Sequence, residues 1–247
     1  PNNKNLTFYR KLILNFVIKN ANFVTVCGNS SKSFLLDNVS SEKKIEILPN
    51  SIDTDVFREK KKPKKYDLVT LGRLVSEKRL DLLIKVVYLV KKRYPRIQVA
   101  IAGEGYLKNK LISLTKKLKL ESNINFLGFS TSPQDIYNSS KIFILTSETE
   151  GLPRSMIEAM SCGLPCIVPN VGDISEVAKD KVNSYVIRPY DNIAGYAKAV
   201  INLLSNNSIY NNYSNLSKEI VLKSFSYSKA SNVWDDIFKG INLVRDN

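Results

Sequence analysis

The sequence predicts an α/β protein whose main part is a parallel sheet covered by helices on both faces. Apolar runs of strand length recur along residues 66–188, and amphipathic stretches of helical length separate them. The runs are continuously apolar instead of alternating with polar residues, which is typical of parallel strands buried on both faces. Because ligands of such sheets bind beyond the carboxyl ends of the strands, the residues that follow each strand are the candidate functional residues.

The predicted elements of this main part follow one another in a regular order. Amphipathic patterns predict helices over residues 80–93 and 107–118. A shorter helix is predicted over roughly 153–162, because Pro153 suits the first turn of a helix and Gly163 suits the position just after its end. The strands are predicted at residues 66–71, 97–102, 123–128, 141–145, 165–168 and 184–188.

The segment before residue 66 has two parts. Residues 58–65 are charged, contain Pro63 and show no hydrophobic period, so they predict a linker. The elements predicted before the linker are a helix at about 5–20, a strand at 23–27, a helix after Asn29 and a strand at 45–48. These elements make a poor independent domain, and the chain starts at Pro1 instead of Met. We therefore expect the end of an α/β domain whose first part is absent.

Composition narrows the classes of mechanism. The 247 residues include three cysteines and no histidine, so this chain supplies no histidine base such as that of a Ser-His-Asp triad. A sparse, odd number of cysteines does not indicate a disulfide framework and fits a reducing compartment. The spacing of Cys162 and Cys166 resembles half of a zinc site. Without a His or a second Cys pair, we expect two buried apolar residues instead.

The charge balance bears on partners and location. A formal net charge of +14 and a pI near 9.6 favour anionic partners. We expect a cytoplasmic protein whose basic runs are in the first place solvated surface and linker, with peripheral contact to the inner face of an anionic membrane as a second role. The apolar run at 12–18 is too short to span a bilayer and predicts a buried helix face rather than a signal peptide. Specific nucleic-acid binding is ranked low, because no recognition helix, RNA-binding motif or zinc motif accompanies the charge.

The turns after the first three predicted strands differ in what they indicate, and Gly103-Glu104-Gly105 after the second strand predicts only a tight turn with close backbone approach. Gly72 and Arg73 follow the first strand, and Lys78 lies just beyond them. Three spaced glycines of a dinucleotide fingerprint are absent there, but the two cations suit a diphosphate. The alternative is that both are solvated loop residues, which is the commoner case for two cations taken alone. After the third strand, Gly128 and Phe129 predict either a nucleobase site or, equally, a strand-ending Gly with a core Phe.

The turn after the fourth predicted strand carries two carboxylates. Glu150 precedes the short helix predicted from Pro153, and Glu158 lies inside it. The start of that helix presents unpaired N–H groups and about half a positive charge, which suits a diphosphate or a sugar hydroxyl. Carboxylates accept hydrogen bonds from the paired hydroxyls of a sugar or a ribose. An ordinary acidic surface helix is the alternative, but Glu158 is flanked by apolar residues that favour packing.

These motifs together resemble retaining glycosyltransferases of the GT-B type, family 4, also called glycosyltransferase group 1. The spacing from Glu150 to Glu158 is similar to the Glu-x7-Glu motif of that group, and the turn at 72–78 is similar to its diphosphate-binding turn. The stretch 48–53 resembles its Pro-Asn-Gly-Val-Asp element, with Ser51 in place of Gly. The resemblance covers almost the whole chain and is densest over 66–205.

The resemblance implies two facing Rossmann-like domains, the second of which binds the nucleotide-sugar. It divides this chain at specific places. Residues 1–57 would be the end of the acceptor domain, 58–65 the interdomain linker, 66–228 the donor-binding domain, and 229–247 a helix that crosses back to the first domain. The fold is thus expected to be a doubly wound, Rossmann-like donor domain of the GT-B type with a partial second α/β domain.

The resemblance also implies roles for the candidate residues. Arg73 and Lys78 would bind the donor diphosphate, and Glu158 the ribose hydroxyls. Glu150 would hold the transferred sugar, which makes Glu150, Arg73 and Lys78 the catalytic residues. No metal and no cofactor are expected, and Asp53 to Asp55 would form a turn instead of a metal-binding Asp-x-Asp motif. The remaining donor-binding residues would be the backbone at Gly72, Gly151, Leu152 and Pro153, and the base pocket at Gly128 and Phe129.

The implied reaction is transfer of a sugar, with retention, from a nucleotide-sugar to a glycan or a lipid-linked acceptor. Because no nucleophilic side chain is obvious, we favour attack by the acceptor hydroxyl on the same face, with a phosphate oxygen taking its proton. A UDP-sugar is the first choice of donor. A non-catalytic nucleotide-sugar or sugar-binding module is the alternative from another class, because most of an acceptor domain is not present in this sequence.

Overall fold

A computed structural model describes residues 7–39 and 45–245. The main part forms the α/β arrangement that the hydrophobic runs predict, and the strand bounds agree with the prediction to within two residues. In chain order its elements are β3 (Tyr66–Leu71), α3 (Leu80–Lys91), β4 (Val99–Ala102), α4 (Lys108–Lys117), β5 (Ile124–Gly128), α5 (Pro133–Asn138), β6 (Ser140–Ile144), α6 (Arg154–Ser161), β7 (Cys166–Pro169), β8 (Ser184–Ile187), α7 (Ile193–Ser205), α8 (Asn207–Ser224) and α9 (Tyr227–Arg245). The first part contains α1 (Phe8–Asn20), β1 (Val24–Val26), α2 (Asn29–Asn38) and β2 (Ile45–Ile47).

All six strands of the main sheet run parallel, in the order β5-β4-β3-β6-β7-β8. The chain builds one side of the sheet from β3 outwards to β5, and then returns to pair β6 with the other side of β3. This reversal makes the junction of β3 and β6 the topological switch point, where ligands of doubly wound sheets bind.

Helices cover the sheet on both faces, and the side chains of β3 alternate between the two cores. Leu68 points into a core built mainly with α3 and α7, whereas Val69 points into a core built with α5 and α6. On β4, Ala100 and Ile101 divide between the two cores in the same way. This double coverage explains why consecutive strand residues such as Leu68 and Val69 are both apolar, and it confirms the predicted doubly wound sheet.

The first part forms a small α/β unit. β1 and β2 pair in parallel, with Val24 beside Ile45, and α2 lies between them in the chain. The prediction that residues 12–18 form a buried helix face is wrong: Ile18 is buried, but Ile13 is 65% exposed and Phe16 is 70% exposed. The physical reason is that no other element of the described residues covers this face of α1.

Residues 58–65 form no helix or strand, as predicted for a linker, but hydrogen bonds and an ion pair join them to α5. The Lys60 N–H donates to Asn138 Oδ1 at 2.7 Å, and Lys62 Nζ pairs with Asp135 at 2.5 Å. Lys64 Nζ donates to the Asn138 carbonyl at 3.0 Å, and burial lowers the pKa of that ammonium. These polar groups fix the path of residues 58–65 along α5.

The chain meets its first part again just before α9. The Ile52 N–H donates to the Phe225 carbonyl at 2.9 Å, and the Tyr227 N–H donates to the Ile52 carbonyl at 3.1 Å. In α9 itself the rings of Trp234 and Phe238 stack at 5.5 Å. The division of the chain at residues 57, 65 and 228 stays a prediction. Within the described ranges, no helix is long and apolar enough to cross a membrane.

Candidate functional site

The turn after β3 is built against the turn after β4. The Gly72 N–H donates to the Ala102 carbonyl at 3.0 Å, and the Leu74 N–H donates to the Glu104 carbonyl at 2.9 Å. A Cβ on Gly103 would lie 1.9 Å from the Gly72 oxygen, and Gly103 has a φ of +135°. Glycine is therefore required at Gly103 for the close approach of the two turns.

The two predicted phosphate-binding cations differ in their surroundings. Arg73 is exposed, whereas the Lys78 side chain is only 20% exposed and pairs with Glu150. Thr146, just after β6, donates its hydroxyl to the carbonyls of Lys78 and Arg79. These hydrogen bonds join the segment after β3 to the end of β6, on the other side of the switch point.

Arg79, which no sequence motif singled out, borders the same turn. Arg79 has a left-handed backbone with φ of +46° and occupies the N-cap position of α3, where its side chain makes no capping hydrogen bond within the described part of the chain. Its guanidinium donates to Asp81, and this hydrogen bond raises the pKa of Arg79. The guanidinium also lies 5.8 Å from the ring centroid of Tyr190. No local sequence pattern could predict this contact, because Tyr190 lies 111 positions after Arg79 in the chain.

Glu150 lies in the loop between β6 and α6, as predicted, and its carboxylate is almost buried. Its side chain is 9% exposed. Lys78 Nζ donates to Glu150 Oε1 at 2.5 Å, and Ser147 Oγ donates to the same oxygen at 2.6 Å. Two donors thus fix the orientation of this carboxylate. The predicted phosphate-binding lysine and the predicted sugar-binding carboxylate are direct partners.

The loop after Glu150 leads into α6, which begins one residue later than predicted. Pro153 is the residue before the first helical residue, Arg154, because its extended ψ of 118° keeps it outside the helix. Among the described residues no side chain caps this helix start, so its first N–H groups stay free of such a partner. Gly151 is exposed, whereas Leu152 and Pro153 are buried. At the other end Gly163 takes φ of +79° just past the helix, as predicted.

Glu158 is half-buried on α6 and is oriented by a residue that the sequence did not single out. Tyr137, wholly buried on α5, donates its hydroxyl to Glu158 Oε2 at 3.0 Å. Burial raises the pKa of Glu158, while the Tyr137 hydrogen bond and the charge of Arg154 act in the opposite direction. The prediction that Glu158 belongs to a packed stretch is confirmed.

Gly128 and Phe129 end β5 at the same edge of the sheet. Gly128 has a φ of +71°, and its carbonyl accepts a hydrogen bond from the Gly103 N–H at 2.7 Å. Phe129 is 78% exposed, so the alternative interpretation as a core residue is wrong. An exposed aromatic ring beyond a strand end provides a stacking face for a planar group.

A small pocket lies at the switch point, where the carboxyl ends of β3, β4 and β6 meet. It contains three of the predicted site residues, Gly72, Arg73 and Lys78, and Glu150 borders it through Lys78. Gly128, Phe129 and Glu158 lie outside its lining. The lining residues are Thr70, Leu71, Gly72, Arg73, Leu74, Lys78, Leu80, Ile101, Ala102, Leu145 and Ser147.

Cys162, Cys166 and the segment 53–55 have structural roles and lie outside the pocket. Cys162 and Cys166 are buried as expected, and burial raises the pKa of Cys162 to about 12. Asp53 accepts hydrogen bonds from the N–H groups of Asp55 and Val56, which is a local turn, as predicted. Over the described parts of the chain, no group of three Cys, Asp or Glu side chains is arranged to hold a metal ion.

Comparison with known proteins relates this geometry to a family. Residues 51–220 match the family model described as "Glycosyl transferases group 1". A poly(ribitol-phosphate) alpha-N-acetylglucosaminyltransferase of Staphylococcus aureus strain COL is 30% identical over 169 residues, which are 68% of this chain and 34% of that protein. The N-acetyl-alpha-D-glucosaminyl L-malate synthase of Bacillus anthracis is 25% identical over 244 residues, which are 95% of this chain and 63% of that protein.

Solved structures agree with the sequence matches. A variant of S. aureus TarM in complex with fondaparinux, alpha-GlcNAc-glycerol and UDP superposes with a TM-score of 0.85 at 26% identity, covering 96% of this chain and 48% of that chain. The six-stranded parallel sheet is thus that of GT-B glycosyltransferases. This chain spans 34% to 63% of the length of the curated relatives named above. Because the family model matches well over half of the chain, the protein belongs to the Glycosyl transferases group 1 family.

Proposed function

We propose that this chain forms the donor-binding half of a glycosyltransferase that uses a nucleotide-sugar. The observation that carries the proposal is the paired Lys78 and Glu150 at the switch-point pocket. A nucleotide-sugar has an anionic diphosphate next to a ring of hydroxyls. One cation and one carboxylate in direct contact provide a matching partner for each of these neighbouring groups.

The diphosphate part of the proposal rests on positive potential at the pocket. Lys78 supplies an ammonium there, and the exposed Arg73 has a guanidinium free to turn towards the ligand. The uncapped start of α6 adds N–H groups and the positive end of a helix dipole. As the bond to the sugar breaks, negative charge grows on the leaving nucleoside diphosphate, and preorganised cations stabilise it.

The sugar and nucleoside parts rest on the two carboxylates. Glu150 would accept hydrogen bonds from the transferred sugar, and Glu158, oriented by Tyr137, from the ribose. Gly128 and the exposed ring of Phe129 would contact the base. We further propose transfer with retention, without a metal ion or cofactor, by attack of the acceptor hydroxyl on the same face of the sugar.

UDP and an N-acetylated sugar are the first choices for the donor. The relatives named above include an N-acetylglucosaminyltransferase, and the TarM variant holds UDP. Glycan or lipid-linked acceptors are proposed for the whole protein. The net charge of +14 supports peripheral contact with an anionic membrane surface on the cytoplasmic side.

A thermal-shift panel with UDP, GDP, ADP and UDP-N-acetylglucosamine tests the donor assignment. A ligand that binds the folded state raises the midpoint by mass action, by an amount that follows its affinity. We expect UDP and UDP-N-acetylglucosamine to give the largest rise. If none of the four compounds moves the midpoint at millimolar concentration, the proposed donor site is wrong.

A non-catalytic nucleotide-sugar-binding module is the second candidate, because the pocket and the Lys78–Glu150 pair account for donor binding by themselves. Both candidates bind the donor, so binding does not separate them. Release of UDP from UDP-N-acetylglucosamine by the full-length protein, with acceptor extract present, favours the enzyme. Donor binding with no UDP release under any of the acceptor conditions favours the module.

A further inference from the structure

Asp173 is a fully buried carboxylate that lies between the first part of the chain and residues 150–152, here called the donor loop. It follows β7, and its side chain points at the start of α2. Asp173 Oδ1 accepts the N–H of Ser30 at 2.8 Å and the N–H of Ser31 at 3.2 Å. The Ser31 hydroxyl donates to Asp173 Oδ2. Hydrogen bonds to a carboxylate are the strong kind, and the helix dipole favours an anion here.

The backbone on the other side of Asp173 contacts the loop that carries Glu150. The Asp173 N–H donates to the Gly151 carbonyl at 3.1 Å. The neighbouring Gly172 packs so closely that a Cβ there would lie 1.9 Å from the backbone carbonyl oxygen of Glu150. A second contact from the first part reaches the same loop, since Asn50 Nδ2 donates to the Leu152 carbonyl at 2.5 Å. The donor loop is therefore supported by groups outside the donor sheet.

The start of α2 is shaped to receive this carboxylate. A Cβ on Gly28 would lie 2.6 Å from Asp173 Oδ1, so a larger residue at position 28 would displace the side chain. Beside it, Glu176 Oε1 accepts the N–H of Asn29 at 3.2 Å and its side-chain amide at 3.0 Å. The contact is thus matched in both shape and hydrogen bonding.

We propose that Asp173 is a positioning residue for the donor sugar. It holds the turn Gly172–Asp173 against α2, and this turn holds the loop 150–152, so that the Glu150 carboxylate keeps its place beside Lys78. In this proposal Asp173 acts through the backbone of the loop 150–152 and not through direct contact with the donor. The inference rests on the proposed function of Glu150, and it extends the sugar site to a residue in contact with the first part of the chain.

The first test needs no donor. Amide hydrogen exchange is measured on the full-length protein and on its Asp173→Ala and Asp173→Asn variants. We expect exchange in residues 150–152 to become on the order of tenfold faster in Asp173→Ala, because local opening of the loop costs less. Asp173→Asn is expected to show a smaller change, since its amide oxygen still accepts the two N–H groups. Ser175→Ala, on an exposed residue of the same turn, is the matched control and is expected to match the wild type.

The second test separates positioning from a general structural role. UDP lacks the sugar, so its dissociation constant should stay within about twofold in Asp173→Ala, whereas turnover of UDP-N-acetylglucosamine should fall on the order of tenfold to a hundredfold through misplacement of Glu150. Unchanged exchange in the loop 150–152, or an equal loss of UDP affinity, overturns the inference. Failure of the wild type to bind UDP instead contradicts the proposed function, whereas the exchange experiment still decides whether Asp173 holds the loop 150–152 in place.

A double-mutant cycle tests the contact itself. Gly28→Ala pushes against the Asp173 carboxylate and should reproduce the loop exchange of Asp173→Ala. Because both substitutions remove the same contact, the double variant should exchange no faster than either single variant. Additive acceleration in the double variant would show that the two residues act separately and would overturn the proposed link.

Discussion

Glu158 places a requirement for binding in conflict with a requirement for folding. A carboxylate that accepts ribose hydroxyls should be ionised, but burial on α6 raises its pKa and so penalises the ionised form. Tyr137 offsets part of that penalty by donating to Glu158 Oε2. Charged groups kept in a partly buried position at a cost in stability are common at functional sites.

This conflict predicts how stability changes with pH. The folded-state pKa of Glu158 lies above its ordinary value of 4.5, so the folded protein retains a proton that the unfolded chain has lost. The stability contributed by this proton is present below pH 4.5 and is lost as the pH rises through the raised folded-state pKa. Glu158→Gln removes the titration, so its stability relative to the wild type should increase over that interval and then level off.

Urea denaturation at a series of pH values measures this effect. Glu121→Gln, a change at an exposed carboxylate, is the control and should run parallel to the wild type. If Glu158→Gln also runs parallel to the wild type at all pH values, burial does not penalise the Glu158 carboxylate in the folded protein.

At the level of single residues, the sequence predicted positions better than partners. The loop position of Glu150 and the helical position of Glu158 follow from the flanking Pro153 and Gly163, because these residues act locally on the backbone. The partners Tyr137 and Asp173 depend on contacts between elements that are far apart in the chain. No local pattern marks them, and only the packing of α5, α6 and α2 brings them to the site.

At the level of elements, the predicted strands were confirmed because burial on both faces leaves a clear mark in the sequence. The one-residue error at Pro153 has a local cause: a proline suits both the first helical position and the extended residue before it. The Gly103 turn shows what local patterns miss. The Gly-x-Gly at 103–105 predicts a tight turn. It does not predict that this turn packs against Gly72, because Gly72 follows a different strand, β3.

The contact between these two turns predicts a specific sensitivity to substitution. Gly103→Ala places a Cβ against the Gly72 carbonyl and forces a residue with φ of +135° to carry a side chain. We expect a loss of about 1–3 kcal/mol in the free energy of unfolding. UDP affinity should also fall, because the Gly72 turn must shift.

Gly151→Ala is the matched control for this substitution, measured by the same urea denaturation. A Cβ on Gly151 meets no described atom within 4 Å, so its stability should stay within about 0.5 kcal/mol of the wild type. Equal stability of the two alanine variants would mean that the turns after β3 and β4 are not in the close contact described.

At the level of the whole molecule, the two parts of the chain were predictable to different degrees. Helices from the same part of the chain cover both faces of the sheet from β3 to β8. The hydrophobic pattern of that part was therefore enough to predict which faces are buried. The apolar face of α1 was wrongly predicted to be buried. An apolar helical pattern indicates that a face favours burial, but it does not identify the element that packs against it. The linker at 58–65 is similar, since its charges indicate solvent but its backbone is held by Asn138.

The switch point concentrates the function that we propose for the molecule. It joins the strand ends that carry Lys78 and Glu150, and the first part of the chain supports the same loop through Asn50 and Asp173. We therefore expect a nucleoside diphosphate to bind at this pocket, with Lys78 as one of its partners.

A calorimetric titration with UDP on matched lysine variants tests this claim most directly. Lys78→Ala removes the cation in the pocket, whereas Lys85→Ala removes one from the exposed face of α3 and changes the net charge equally. We predict that Lys78→Ala weakens UDP binding about tenfold to a hundredfold, as expected for a lost hydrogen bond to a charged group. Lys85→Ala should bind UDP as the wild type does. Equal UDP affinity in Lys78→Ala and Lys85→Ala would contradict the account.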